Sequence, residues 1–277
     1  MDGAGYRLKM AKAFVFSGGG AFAVPELGIV KYLEEAQLFN PETDLAIGTS
    51  FGAIAAGSLV LKHEEGEMLR MLKRFDKVAS NALSTSSLVL SAFRFPFTWG
   101  LASLIDILAP YFGGMEYLNK FPRSLIVCAT DLVTFKPMYF NASVHMSEQI
   151  TILESIAASA SIPFVFQPVT YHESVFVDGG LVKNIPLSPA QKMDEVYVFG
   201  NRPEAYHANI SSIESYFGAF LSGAVYRLNE EFTAKVENID NFLGFTSKAK
   251  HVLDFSNFEV DFEEGYQKAK KYFERRN

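Results

Sequence analysis

The chain is poor in cysteine, tryptophan and positive charge. Its 277 residues include one Cys, Cys128, and one Trp, Trp99. A single cysteine excludes an internal disulfide framework and any site built from clustered thiolates. In the run SLIVCATD it reads as an inert buried thiol. Lys and Arg together number 25 against 31 Asp and Glu, a formal charge of −6. That balance lacks the basic footprint of a nucleic-acid binder and offers no strong attraction to anionic lipid. Long apolar runs are also missing. The charge-free stretch at residues 45–61 is broken throughout by Gly, Thr and Ser, and reads as strand, turn and helix rather than a span. Residues 1–20 lack the long apolar centre of a signal peptide, which points to a cytoplasmic protein.

Aromatic and aliphatic residues are plentiful instead. Hydrophobic residues make up 49% of the chain, with 26 Phe and 12 Tyr. This composition fits either a Phe-rich core or an apolar ligand site. Short apolar runs alternate with helical patterns, the signature of parallel α/β architecture. The runs predict strands at 13–17, 45–48, 125–130, 137–140, 175–177 and 196–199, with helices at 25–38, 51–63, 64–79 and 147–160. Residues 80–114 are apolar, aromatic and nearly uncharged, and read as a lid, a pocket wall or a pair of buried helices. From 201 to 277 the pattern turns helical and charged, which predicts a helical extension packed on the same domain.

Two glycine-rich turns carry the chemistry. FSGGGAFAVPELG places Gly18, Gly19 and Gly20 between an apolar strand and a helix opened by Pro25. Three glycines are costly to order, so bare backbone is needed there for a tight turn or a close approach. DLAIGTSFGAIAAG then gives Gly48, Ser50 and Gly52 in the order G-x-S-x-G, between a strand and a helix of small residues. In that context the glycines permit a sharp turn that lifts the Ser50 hydroxyl to the sheet edge at a helix N-terminus.

A serine nucleophile needs a base and an oxyanion site. Of the histidines 63, 145, 172, 207 and 251, none sits in a stretch resembling a catalytic loop. His207 could follow Ser50 and Asp178 in the chain order of α/β-hydrolases, but that fold places several strands before its elbow and here one precedes it. The better candidate is Asp178, which ends the apolar strand VFVD and precedes Gly179 and Gly180. It therefore shares the edge where open α/β sheets bind ligands. Burial beside Phe176 and Phe164 is expected to raise its pKa towards that of a working base.

These segments, with CATDLVTFKPMYF and AASASIPFVFQPV, resemble the patatin-like phospholipase family over residues 12–200. The resemblance implies a three-layer α/β/α catalytic domain with a mainly parallel central sheet. It implies a Ser50–Asp178 dyad without histidine and backbone N–H groups at Gly18, Gly19 and Gly20 as the oxyanion hole. It also implies lipid acyl hydrolysis of phospholipase A or lysophospholipase type, with no cofactor and no metal. The substrate would be a phospholipid, glyceride or other acyl ester, reached at a bilayer by peripheral contact. After its glycines the family usually carries a small residue, a cation and a glycine; here stand Ala21, Phe22 and Ala23. The missing cation leaves neutral glycerides and simple esters open.

Three rival readings stand at this level, one of them a catalytically dead lipid-binding protein, which retention of both Ser50 and Asp178 argues against. A carboxylesterase or thioesterase on soluble acyl donors would use the same dyad. A nucleotide-binding module would use the glycines to cradle phosphate, but the loop lacks G-K-[ST], and Ala23 occupies the last glycine of G-x-G-x-x-G.

Overall fold

The computed structural model describes residues 11–82, 101–113, 123–142, 150–163, 165–201 and 239–276. Most of the 80–114 excursion, including Trp99, lies outside them, as do Phe164, His145 and His207.

Among the described residues eight strands form one sheet: β1 (Lys12–Phe16), β2 (Leu45–Thr49), β3 (Leu125–Asp131), β4 (Lys136–Phe140), β5 (Val169–Tyr171), β6 (Ser174–Asp178), β7 (Glu195–Asn201) and β8 (Phe242–Phe245). Their order is β5-β6-β3-β2-β1-β7-β8, with β4 also paired to β3. The pairings β3-β2-β1-β7-β8 are parallel, and β4, β5 and β6 join antiparallel. Six helices among the described residues accompany them: α1 (Pro25–Glu35), α2 (Phe51–Leu61), α3 (Glu65–Ala82), α4 (Leu101–Phe112), α5 (Ile152–Ala160) and α6 (Phe258–Glu274).

The central strands are apolar on both sides because both faces are covered. Phe14 and Phe16 of β1 point into the larger core, to which all six helices contribute. Ala13 and Val15 point the other way, against Ile47, Ile126, Ile185, Ala190 and Val198. Helix α2 is apolar all round and buried on nearly every side, as expected of a helix at the centre of a layer.

Local signals explain the helix limits. The α1 pattern ends at Glu35, and Gln37 then enters the left-handed region at φ 52°. Helix α5 begins at Ile152, later than its apolar spacing indicates, because Thr151 and Glu154 form a reciprocal capping box. Residues 143–149 lie outside the described part.

The C-terminal segment adds more than a helix. FLGF at 242–245 pairs with β7 as a further parallel strand, a short run whose strand character comes from its partner. Helix α6 then crosses α1 at close range. A Cβ on Gly28 would overlap the Phe262 carbonyl, and a Cβ on Gly265 would overlap that of Pro25. Paired glycines let the two backbones touch.

Candidate active site

The strand register places Ser50 beside Asp178. β2 pairs with β3 up to Thr49↔Cys128, then leaves the sheet at Ser50. β4 pairs with residues 127–131 of β3, so it occupies the opposite edge. β6 pairs with residues 129–131, also opposite β4, and so takes the edge that β2 has vacated. Its last residue, Asp178, faces Ala129, one step beyond the end of β2. Two strands thus meet end to end along one edge of β3, with a serine closing one and an aspartate closing the other.

The elbow depends on missing side chains. A Cβ on Gly52 would overlap the carbonyls of Phe16 and Ser17, and one on Gly48 would overlap the Gly52 carbonyl. Ser50 itself adopts φ 54°, a left-handed value uncommon for a residue with a side chain. Its N–H donates to Ser159 Oγ at 2.8 Å, and that hydroxyl donates to the Cys128 carbonyl at 2.6 Å. Ser159 therefore ties the elbow to the neighbouring strand.

Ser50 Oγ donates to Asp178 Oδ2 at 2.6 Å, and both residues are buried. The second carboxylate oxygen, Oδ1, accepts the Gly180 N–H at 2.7 Å. Thr130 Oγ1 donates to the Asp178 carbonyl at 2.9 Å, which fixes the strand end. Burial pushes the Asp178 carboxyl up to about 6, against the lowering effect of the bonds from Ser50 and Gly180. No described histidine bonds to either side chain. His63 instead bridges Ser58 Oγ and the Tyr111 carbonyl at the far end of α2.

The three loop glycines are not equivalent. Gly18 lies directly over the serine, since a Cβ there would stand 3.2 Å from Ser50 Cβ. Its N–H, however, donates to the Asn184 carbonyl at 3.0 Å, and Asn184 Nδ2 donates back to the Gly18 carbonyl at 3.1 Å. The Gly18 N–H is thus occupied, which narrows the candidate loop donors to Gly19 and Gly20. Those two N–H groups have no partner among the described residues. Gly20 holds φ 54° against the Val252 carbonyl, where a Cβ would clash. Ala23 sits in the 3₁₀ turn Gly20–Ala23, so no glycine is required there.

Beneath the loop lies a residue that the motifs do not single out. Glu26 is fully buried, and its Oε1 accepts both the N–H and the hydroxyl of Ser17, at 2.9 and 3.1 Å. Burial raises its pKa well above the ordinary value, against the lowering effect of the two bonds from Ser17. Its only sequence signal is an acid inside the otherwise apolar VPELGIV. Ser159 and Phe255 were equally silent, a small residue in a small-residue run and a Phe among many.

A small pocket opens beside Ser50 and Gly20. Its walls are apolar, with Phe51 and Ile54 from α2, Phe75 from α3, Leu104 from α4, and Phe166 and Phe255 from loops. Among the described residues no cluster of His, Cys, Asp and Glu is arranged to hold a metal ion. No described helix is long and apolar enough to cross a membrane.

A fold with a mixed, mostly parallel sheet, a serine elbow and an aspartate at the meeting strand end defines a class. The chain belongs to the patatin-like phospholipase family, whose model matches residues 14–190. An uncharacterized NTE family protein of Mycobacterium tuberculosis is 29% identical over 174 residues, covering 63% of this chain and 27% of that protein. Lysophospholipase NTE1 of Meyerozyma guilliermondii is 23% identical over 262 residues, covering 90% of this chain and 16% of that protein. The chain thus spans well under a third of the length of these relatives. Among solved structures, VipD from Legionella pneumophila has the same fold, with a TM-score of 0.51 at 13% identity, covering 96% of this chain and 67% of that one.

Proposed function

We propose that this chain is a serine lipid acyl hydrolase of phospholipase A or lysophospholipase type. The observation that carries the reading is the buried 2.6 Å bond from Ser50 Oγ to Asp178, at the mouth of an apolar pocket. Ser50 Oγ attacks the ester carbonyl carbon while its proton passes to Asp178. The N–H groups of Gly19 and Gly20, with the N-terminus of α2, stabilise the oxyanion; one such donor is worth about 3 kcal/mol in other serine enzymes. As the tetrahedral intermediate collapses, the ester C–O bond breaks and Asp178 protonates the leaving alcohol. Water then attacks the acyl-enzyme, again losing its proton to Asp178, and the fatty acid leaves as the proton returns to Ser50.

A carboxylate is ordinarily a weak base for a hydroxyl. Burial that lifts Asp178 to about 6 narrows that mismatch while leaving the group ionised at neutral pH. The apolar pocket favours lipid acyl chains over short soluble esters, since each buried methylene contributes about 0.8 kcal/mol. With a bilayer lipid as substrate, contact with the membrane is peripheral.

The test is labelling with a fluorophosphonate, with the adduct located by peptide mass. Label on Ser50 that is lost in a folded Asp178→Asn variant supports the dyad. No label on Ser50 in folded protein overturns the hydrolase reading. Activity that peaks on short soluble esters transfers the substrate to the carboxylesterase class.

A further inference from the structure

The family match ends at residue 190, yet the pocket does not. Val252, Leu253 and Phe255 line it from the segment 246–257, which joins β8 to α6. Phe255 is almost fully buried and stacks on Phe75 at 5.3 Å between ring centres. It also meets Phe51, the residue after the candidate nucleophile, at 6.0 Å, and Phe51 meets Phe75 at the same separation. Three rings from three parts of the chain thus close one side of the pocket.

This segment is held in place by polar bonds. The Val252 carbonyl accepts the Ala21 N–H at 2.8 Å, which ties the segment to the glycine loop. Asp261 on α6 accepts the Lys248 N–H at 2.7 Å and the Ser247 hydroxyl at 2.6 Å. Asp254 closes a turn by accepting the N–H groups of Lys250 and Ser256, at 2.8 and 3.2 Å. A wall fixed in this way presents a defined volume to a ligand rather than yielding to it.

The walls from α2 are different in kind. Phe51 and Ile54 belong to the helix that carries the elbow, so changing them disturbs Ser50 itself. The 246–257 segment adds volume control without forming any part of the Ser50–Asp178 pair. We propose that this segment is the chain-length gauge of the acyl site, with Phe255 and Leu253 setting how much of an aliphatic chain is accepted. The inference rests on the hydrolase reading for its biological meaning, but the ligand it names, a saturated aliphatic chain bearing a carboxyl or ester, can be tested without turnover.

The experiment uses the full chain carrying Ser50→Ala, titrated calorimetrically with saturated fatty acids of increasing length. The same titration is repeated with Phe255→Leu, which enlarges the site, and with Leu253→Phe, which fills it. The expected result is a preferred length that moves to longer acids in the first variant and to shorter acids in the second. Each methylene gained or lost should change affinity about threefold or more, within the range by which apolar pockets discriminate. Circular dichroism reports whether each variant is folded, and either folded variant alone tests the direction. An unchanged length preference in folded variants overturns the gauge, as does an absence of any fatty-acid binding to the Ser50→Ala protein. Failure of Ser50 to take a fluorophosphonate in the parent overturns the hydrolase reading separately, whatever the titrations give.

Discussion

Ser17 gives both its N–H and its hydroxyl to a single oxygen of Glu26, at the root of the glycine loop. The arrangement asks a carboxyl to act as an acceptor in a fully buried place, where desolvation raises its pKa. Replacing it with an amide keeps the acceptor and the volume, so Glu26→Gln is expected to fold and to retain the loop. The stability difference should depend on pH in a defined sense. Burial raises the folded pKa well above 4.5, so above that pH the native state keeps a proton that the unfolded chain has released. Parent stability therefore falls as pH rises from 4.5 towards the folded pKa, and the glutamine variant escapes that loss. Denaturant unfolding of both proteins across this range checks it; parallel pH profiles would show that burial does not raise the Glu26 pKa.

The same reasoning gives Asp178 two opposite signatures. As a base it works deprotonated, so kcat/KM should fall on acidification with a midpoint near pH 6. As a buried carboxylate it costs stability. The native state holds its proton up to about 6 while the unfolded chain releases it near 3.8, so stability drops across that window and stays lower above it. Asp178→Asn should abolish turnover yet raise stability at neutral pH by roughly 3 kcal/mol, since the shift from 3.8 to about 6 is worth about 1.4 kcal/mol per unit. Thermal melts beside the pH–rate profile test both, and a destabilised Asn variant would contradict the burial argument.

Ser159 links the elbow to β3 by accepting from Ser50 N–H and donating to the Cys128 carbonyl. Ser159→Ala leaves both of those buried groups short of a partner, a cost of about 1–3 kcal/mol for each. Because Ser50 then loses its anchor rather than its partner Asp178, kcat should fall more than KM rises. Equal effects on both, or none on kcat, would assign Ser159 to packing alone.

The crossing of α1 and α6 is equally testable. A methyl group at Gly265 would overlap the Pro25 carbonyl, so Gly265→Ala must push the helices apart. Overpacking of this kind costs about 1–3 kcal/mol. Since α6 holds the 246–257 segment through Asp261, the variant should also blur discrimination between acyl lengths. A lowered Tm with discrimination intact would mean the segment keeps its place without the helix.

Much of this architecture is legible in the residues. Apolar runs located β1, β2, β3, β4, β6 and β7, most plainly the central β1, β2 and β3, because strands buried on both faces need continuous apolar sequence. The elbow was readable because Gly48 and Gly52 face backbone atoms that admit no side chain. What escaped was set by distant partners. β5 and β8 are three and four residues long and are strands only by virtue of β6 and β7. The occupied Gly18 N–H depends on Asn184, far along the chain, and nothing in three identical glycines tells which one is spoken for. Phe255 is one of 26 phenylalanines, and its place in the pocket follows only from the path of the chain after β8.

That path has a consequence for synthesis. A nascent polypeptide that has emerged as far as Asp178 already carries both side chains of the candidate dyad, but neither the wall at Phe255 nor the clasp of Val252 on the glycine loop. Those arrive only with the stretch that ends in α6, translated after everything else in the site. On the hydrolase reading, the acyl site of the nascent chain is thereby unfinished until α6 packs against α1.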